Sequence, residues 1–264
     1  MSYVDYNWSN RDDHTNIFDR ILLPGCDLSS FIKCDWDPFH SVLYFKDQTL
    51  HIAQIYDKPA VLVWFEKDGL VDIKHNGTEV ERTQHTFTLN FNDRGRDFQS
   101  AAILSEGDGN FQQQMQLDQY RSIYTRAHMK AGQVLLIACE LQEEEIAEQA
   151  KEWIKTPIDK ILSSNEQKIA NDLQHGKFTL RNKPEMQKLL DISRRLALSM
   201  QNIDGFMRST NQYIYYLLWF RDNGMNISHI GYSGWPQITY NGAKMALSNP
   251  NFTNENPDEI FFGQ

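Results

Sequence analysis

The segment best equipped for chemistry is Tyr215-Tyr216-Leu217-Leu218-Trp219-Phe220-Arg221-Asp222. An Arg-Asp pair closing a run of aromatic and aliphatic residues sets two opposite charges beside a buried stretch, where unpaired charges are costly. Both therefore need partners. In a sugar site the partners are hydroxyl groups: the carboxylate accepts from vicinal hydroxyls, the guanidinium donates to them, and an aromatic face lies against the apolar side of a pyranose ring. In a structural reading the same two residues form an ion pair at the end of a core helix. Residue types alone leave both readings open.

The remaining carboxylates offer less. Glu143, Glu144 and Glu145 are expected as the solvated first turn of a helix. Asp93 and Asp97 flank Arg94 and Arg96 in NDRGRD, expected as a charged turn between strands. Asp35 and Asp37 surround Trp36, expected as a tight turn with Trp36 in the core; the alternative is a cradle for a sugar hydroxyl. Further on, GYSGWPQITYNGAKMAL (231–247) carries Tyr232 and Trp235, which either stack on a substrate sugar or pack as an end cap. Cys26, Cys34 and Cys139 have no CxxC spacing and are expected as ordinary thiols. His40, His51, His75, His85, His128, His175 and His229 lie apart in the chain, with no HExxH. Neither a metal nor a cofactor is expected.

The elements that must position these residues change character twice. Between Ser41 and Leu141 the runs SVLYF, LHIAQIY, AVLVWF, LVDIKH, TFTLNF, SAAIL, FQQQMQL, YRSIYTRA and QVLLIACEL have the short period of strands, about nine in all. Asn76-Gly77 signals a type I′ turn between LVDIKH and TEVERT, and Asp68-Gly69 and Gly107-Asp108-Gly109 mark further hairpins. Many short strands without intervening helices mean an antiparallel sandwich or barrel. From Gln142 the pattern is helical, restarted by Pro157, and its sparse apolar residues require a surface to lean on. Pro184 opens an amphipathic helix with Met186, Leu189, Leu190, Ala197 and Met200 near one stripe,. The stretch before Arg221 is apolar nearly all round, as in a buried helix. Three segments follow: a sandwich over 1–141, a helical linker over 142–183 and a helical region over 184–264.

A net charge of −9 over 264 residues is the wrong sign for a phosphate-backbone binder. No apolar run approaches the roughly 20 residues of a membrane span, and the first residues lack a signal-peptide core. The expectation is a soluble, cytoplasmic protein with no nucleic-acid or membrane partner.

The order SRRLALSMQ (193–201), IDGFMRST (203–210) and YYLLWFRDNGM (215–225) resembles the opening of the (α/α)6 catalytic barrel of glucoamylase-like enzymes, glycoside hydrolase family 15. The resemblance implies an α+β multidomain architecture: an antiparallel β-sandwich of the supersandwich type, a helical linker and the first helices of the barrel. By position, Tyr215, Trp219, Arg221 and Asp222 match the family's Tyr, Trp, Arg and Asp, of which the Arg-Asp pair holds the non-reducing terminal sugar in the −1 subsite; Leu217, Phe220 and Asn223 depart from the pattern. The implied activity is inverting hydrolysis of α-glucosidic bonds in an oligosaccharide or polysaccharide. Two alternatives stand beside it: a non-catalytic carbohydrate-binding or interaction sandwich, and a disaccharide phosphorylase in which phosphate replaces water.

The 81 residues from Pro184 to Gln264 are too few for a twelve-helix barrel. The family's two catalytic glutamates lie in later segments, so no catalytic residue is assigned here. The expectation is the N-terminal portion of a longer enzyme, or a piece cut from one, with the rest of the barrel as its partner and self-association through uncovered helices.

Overall fold

The computed structural model describes residues 18–56, 58–75, 78–93, 96–115, 123–141, 146–175 and 179–199, with 235, 239, 240, 243 and 244. The chain divides into two compact units, Met1–Asn165 and Glu166–Gln264.

The first unit is built on two antiparallel sheets. One has the order β1 (Phe18–Leu22), β6 (Gly69–His75), β11 (Ile123–Met129), β10 (Asn110–Met115). The other runs β2 (Phe31–Asp35), β3 (His40–Phe45), β4 (Thr49–Gln54), β5 (Ala60–Phe65), β12 (Val134–Leu141), β9 (Arg96–Leu104), β8 (Thr86–Asp93), β7 (Thr78–Arg82). Period-2 alternation decides what each face meets. From β12, Leu135 and Ile137 join Val63 and Phe65 of β5 and Val71, Ile73, Ala127 and Met129 of the smaller sheet in one core between the sheets. Leu136 and Ala138 join Leu62, Ala101 and Ile103 on the opposite face, against Ile146, Ala147 and Ala150 of α1 (Ile146–Ile154) and Ile161 of α2 (Ile158–Gln174). The surface on which the linker helices lean is therefore the outer face of the larger sheet. Asn165 secures that contact: its Oδ1 accepts from Tyr56 N at 2.9 Å and its Nδ2 donates to Gln54 O at 2.6 Å.

Twelve strands are present among the described residues, against about nine expected. The strands outside those nine runs, β1, β2 and β7, the last expected only as the hairpin arm TEVERT, all lie at sheet edges. These edges carry charge, and FDRIL, FIKCD and TEVER lack the apolar–polar alternation that reveals a half-buried strand.

The expected hairpins need correction. LVDIKH and TEVERT do not pair across Asn76-Gly77: β6 is flanked by β1 and β11, and β7 pairs with β8. Asp68-Gly69 and Gly107–Gly109 likewise join strands of different sheets. A turn motif reports a change of direction, whereas the choice of partner is made by the two cores. Glycine is required at the second crossover by space: a Cβ on Gly109 would lie 2.0 Å from Gln133 Oε1 and 2.5 Å from His128 O. NDRGRD does connect a paired hairpin, with Asp93 opposite Arg96. Trp36 is 54% exposed and not in the core. Asp37, the turn residue beside it, accepts from Phe39 N at 2.8 Å, which turns the chain without burying the indole.

In the second unit, α3 (Pro184–Ser199) begins at the expected proline. Its buried residues are Arg194 and Leu198, while Met186 and Leu189 of the expected stripe are 51% and 65% exposed; Met200 lies outside the described residues. Apolar periodicity does not register a guanidinium as a buried position. No helix among the described residues is long and apolar enough to cross a membrane.

A polar cluster penetrates between the sheets at His75. Its Nε2 is 3.1 Å from Thr125 Oγ1, its ring packs 4.9 Å from Phe87, and Arg82 lies over the same Phe87 at 4.8 Å. Burial, with a smaller contribution from the Arg82 charge, lowers the His75 pKa from 6.5 to about 4. The unfolded chain thus takes up a proton at a higher pH than the native one, so stability is complete above pH 6.5 and is lost as pH falls from there toward about 4,. Urea midpoints measured across that window should fall less steeply for His75→Gln than for the natural sequence; equal slopes would remove His75 as the cause. At the helix contact, Asn165→Leu strands two backbone groups and should cost about 2 kcal/mol or more in urea unfolding.

Candidate functional site

Of the residues expected to contact sugar, Tyr215, Trp219, Arg221 and Asp222 lie outside the described residues. Trp235 is described, and its surroundings start from a helix end. The last carbonyls of an α-helix have no partner within it, and α2 carries no basic residue in its last turn. Trp235 Nε1 donates to Asp172 O at 2.7 Å. Arg194 Nη2, from α3, donates to His175 O, and its guanidinium sits 4.9 Å from the centroid of the Trp235 ring. The end of α2 thereby receives an indole N–H and a cation, the sign that suits a helix C-terminus. Trp235 is only 5% exposed, and these are the contacts of a packed side chain. Burial pulls the Arg194 pKa down, opposed by Asp191; a guanidinium nonetheless stays charged. Beside it, Arg195 holds Glu166 through two contacts of 2.9 and 3.2 Å.

Two clusters that sequence spacing conceals lie in the first unit. An open pocket of about 180 Å³ is lined by Asp68, Gly69, Leu70, Asp108, Gly109, His128, Met129 and Lys130. Both aspartates arrive on the crossovers between sheets, which is why motifs read as hairpins converge there. Lys130 Nζ lies 2.7 Å from Asp68 Oδ2, and Ala131 N donates to Oδ1 at 3.0 Å. The lysine bond, then the backbone one, hold the Asp68 carboxyl below the usual carboxylate range, so it is an anchored anion and a poor proton donor. Lys130 is raised by the same contact.

The other cluster corrects the reading of the histidines as separate. His40 and His51, eleven positions apart, meet across the β3–β4 hairpin with Nε2 and Nδ1 3.3 Å apart. His51 stacks on Trp64 at 4.6 Å, and its Nε2 lies 3.5 Å from Glu66 Oε1. The pattern becomes visible once the hairpin places Val42 opposite His51 and His40 opposite Ala53. Among the described residues, three or more His, Cys, Asp or Glu side chains do not gather at any one point that could hold a metal ion. Asp35 pairs with Lys33 at 3.1 Å. Glu143, Glu144 and Glu145 lie outside the described residues.

No family model matches the chain, and no curated protein matches it. Among solved structures it aligns with a putative kojibiose phosphorylase from human microbiome, at 9% sequence identity and a TM-score of 0.46. The alignment covers 74% of this chain and 32% of that one, so the chain spans about a third of that protein's length.

The contacts at the end of α2 are testable by themselves. Arg194→Gln removes the cation beneath Trp235 and weakens the bond to His175 O, and should lower stability by about 1–3 kcal/mol in urea unfolding. An unchanged midpoint would show that the end of α2 does not depend on Arg194.

Proposed function

We propose that this chain forms the sandwich, linker and opening barrel helices of a glucoamylase-like enzyme that cleaves α-glucosidic bonds by inversion. In this reading Arg221 and Asp222 hold the terminal sugar of an oligosaccharide or polysaccharide at the −1 subsite, with Tyr215 and Trp219 lining it. Trp235, bonded to Asp172 O and stacked with Arg194, fixes the end of α2 against α3. The acid and base come from outside these 264 residues, and the sandwich over 1–141, the linker over 142–183 and the helices over 184–264 are the working parts.

The observation that carries the reading is the Tyr-x-x-x-Trp-x-Arg-Asp segment, Tyr215 to Asp222. Its support is its place in the chain, after two antiparallel sheets and three helices in that order. A sugar held by an Arg-Asp pair is gripped through charge-assisted hydrogen bonds, which are stronger than neutral ones. A charged pair fixed in advance also orients the glycosidic bond toward carboxylates supplied elsewhere.

The test is glucose release from α-linked glucosides by the protein expressed from its native reading frame, with and without inorganic phosphate. Arg221→Ala should lower kcat/KM by about tenfold to a hundredfold, the worth of one charged hydrogen bond, and Asp222→Asn should act in the same direction. Turnover that requires phosphate would transfer the assignment to a disaccharide phosphorylase. No cleavage under either condition, or full activity in Arg221→Ala, rejects the proposal.

A further inference from the structure

Strand β2 closes one end of the larger sheet: it pairs with β3 and, among the described residues, has no strand along its other edge. All five of its residues are exposed, with Ile32 at 62%. Leu28 before it and Trp36 after it are exposed as well. An edge of this kind offers unpaired backbone N–H and C=O groups between apolar side chains, the template on which another strand adds.

The side chains of β2 specify which strand that is. Lys33 and Asp35 flank Cys34 symmetrically and share one face, where Lys33 lies 4.3 Å over the Tyr44 ring and bonds Asp35 at 3.1 Å. Let a second copy run antiparallel along the open edge with the two-fold axis at Cys34. Lys33 then stands opposite Asp35 of the partner subunit, and Asp35 opposite the partner subunit's Lys33. Ile32 comes opposite Trp36 of the partner subunit, and the reverse pair repeats it. Moving the axis to Lys33 sets lysine against lysine, and moving it to Asp35 sets aspartate against aspartate. Opposite charges across strands stabilise and like charges destabilise, so among registers that keep these two residues on one face the pattern selects the one centred on Cys34.

We propose that two copies of this chain join at β2, antiparallel and about a two-fold axis at Cys34. The contact is isologous: each copy uses its open edge once and the assembly closes as a pair. The register shift between Phe31 and Lys33 interrupts the regular edge at its start and keeps the pairing from spreading past it. Five residues a side is a small contact, so the pair forms and dissociates with concentration. The inference rests on the first unit and is independent of the sugar reading.

Sedimentation equilibrium of the full chain over a wide concentration range is the first test, and should show a monomer–dimer equilibrium. Lys33→Glu and Asp35→Lys, each at an exposed position, should raise the dissociation constant about tenfold or more, because two attractive cross-strand pairs become repulsive. Combining them exchanges the charges and should return the affinity to that of the natural sequence. A bismaleimide should join two chains through Cys34, a free exposed thiol, and Cys34→Ser should abolish that product. Near-UV circular dichroism checks that each variant keeps its fold. A chain monomeric at all concentrations, a dimer indifferent to Lys33→Glu, or a charge exchange that fails to rescue overturns the proposal.

Discussion

Leu135 and Ile137 leave β12 toward one side and Leu136 and Ala138 toward the other, so the strand in the middle of the larger sheet must be covered twice. Ordinary antiparallel sheets leave one face to water. Here the smaller sheet covers one side and α1 with the start of α2 covers the other, and the strands beside β12 obey the same demand. In β5, Leu62 faces the helices while Val63 and Phe65 face the smaller sheet. In β9, Ala101 and Ile103 alternate with Ala102 and Leu104. At about 25 cal/mol per Å² of apolar surface removed from water, this double burial is the dominant favourable contribution to the unit. Asn165, a polar side chain buried beside this core, is bonded to Tyr56 N and Gln54 O.

How much of this is legible in residue order depends on where an element lies. The runs AVLVWF, SAAIL and QVLLIACEL declare buried strands because both of their faces are apolar. Edge strands β1, β2 and β7 do not, since their charged residues break the alternation. Turn motifs at Asp68-Gly69, Asn76-Gly77 and Gly107–Gly109 separate strands but do not name their partners, because pairing is settled by contacts distant in sequence. His40 and His51 look unrelated until a hairpin register is known.

The helical unit repeats the lesson with charge. Periodicity locates α3 and its first residue, yet the buried face is organised by Arg194, which a hydrophobic count scores as solvent-facing. What places a guanidinium there is the His175 carbonyl just past α2 and the indole of Trp235. Trp235 is legible as one of two readings, and the structure shows its indole N–H bonded to Asp172 O. The sugar-site residues Tyr215, Trp219, Arg221 and Asp222 are read from their order in the chain alone.

The position of β12 also governs the order of assembly. Among the described residues it is the last strand made, and it is the one inserted between β5 and β9. Until it is in place, β5 and β9 each lack a neighbour, and the larger sheet exists as two separate ladders, β2-β3-β4-β5 and β9-β8-β7. Joining them closes a long loop, an entropic cost borne before the contacts that reward it are made. During synthesis the half-sheets must therefore wait with two apolar edges bare, and α1, which follows β12 directly in the chain, arrives in time to cover the newly completed face.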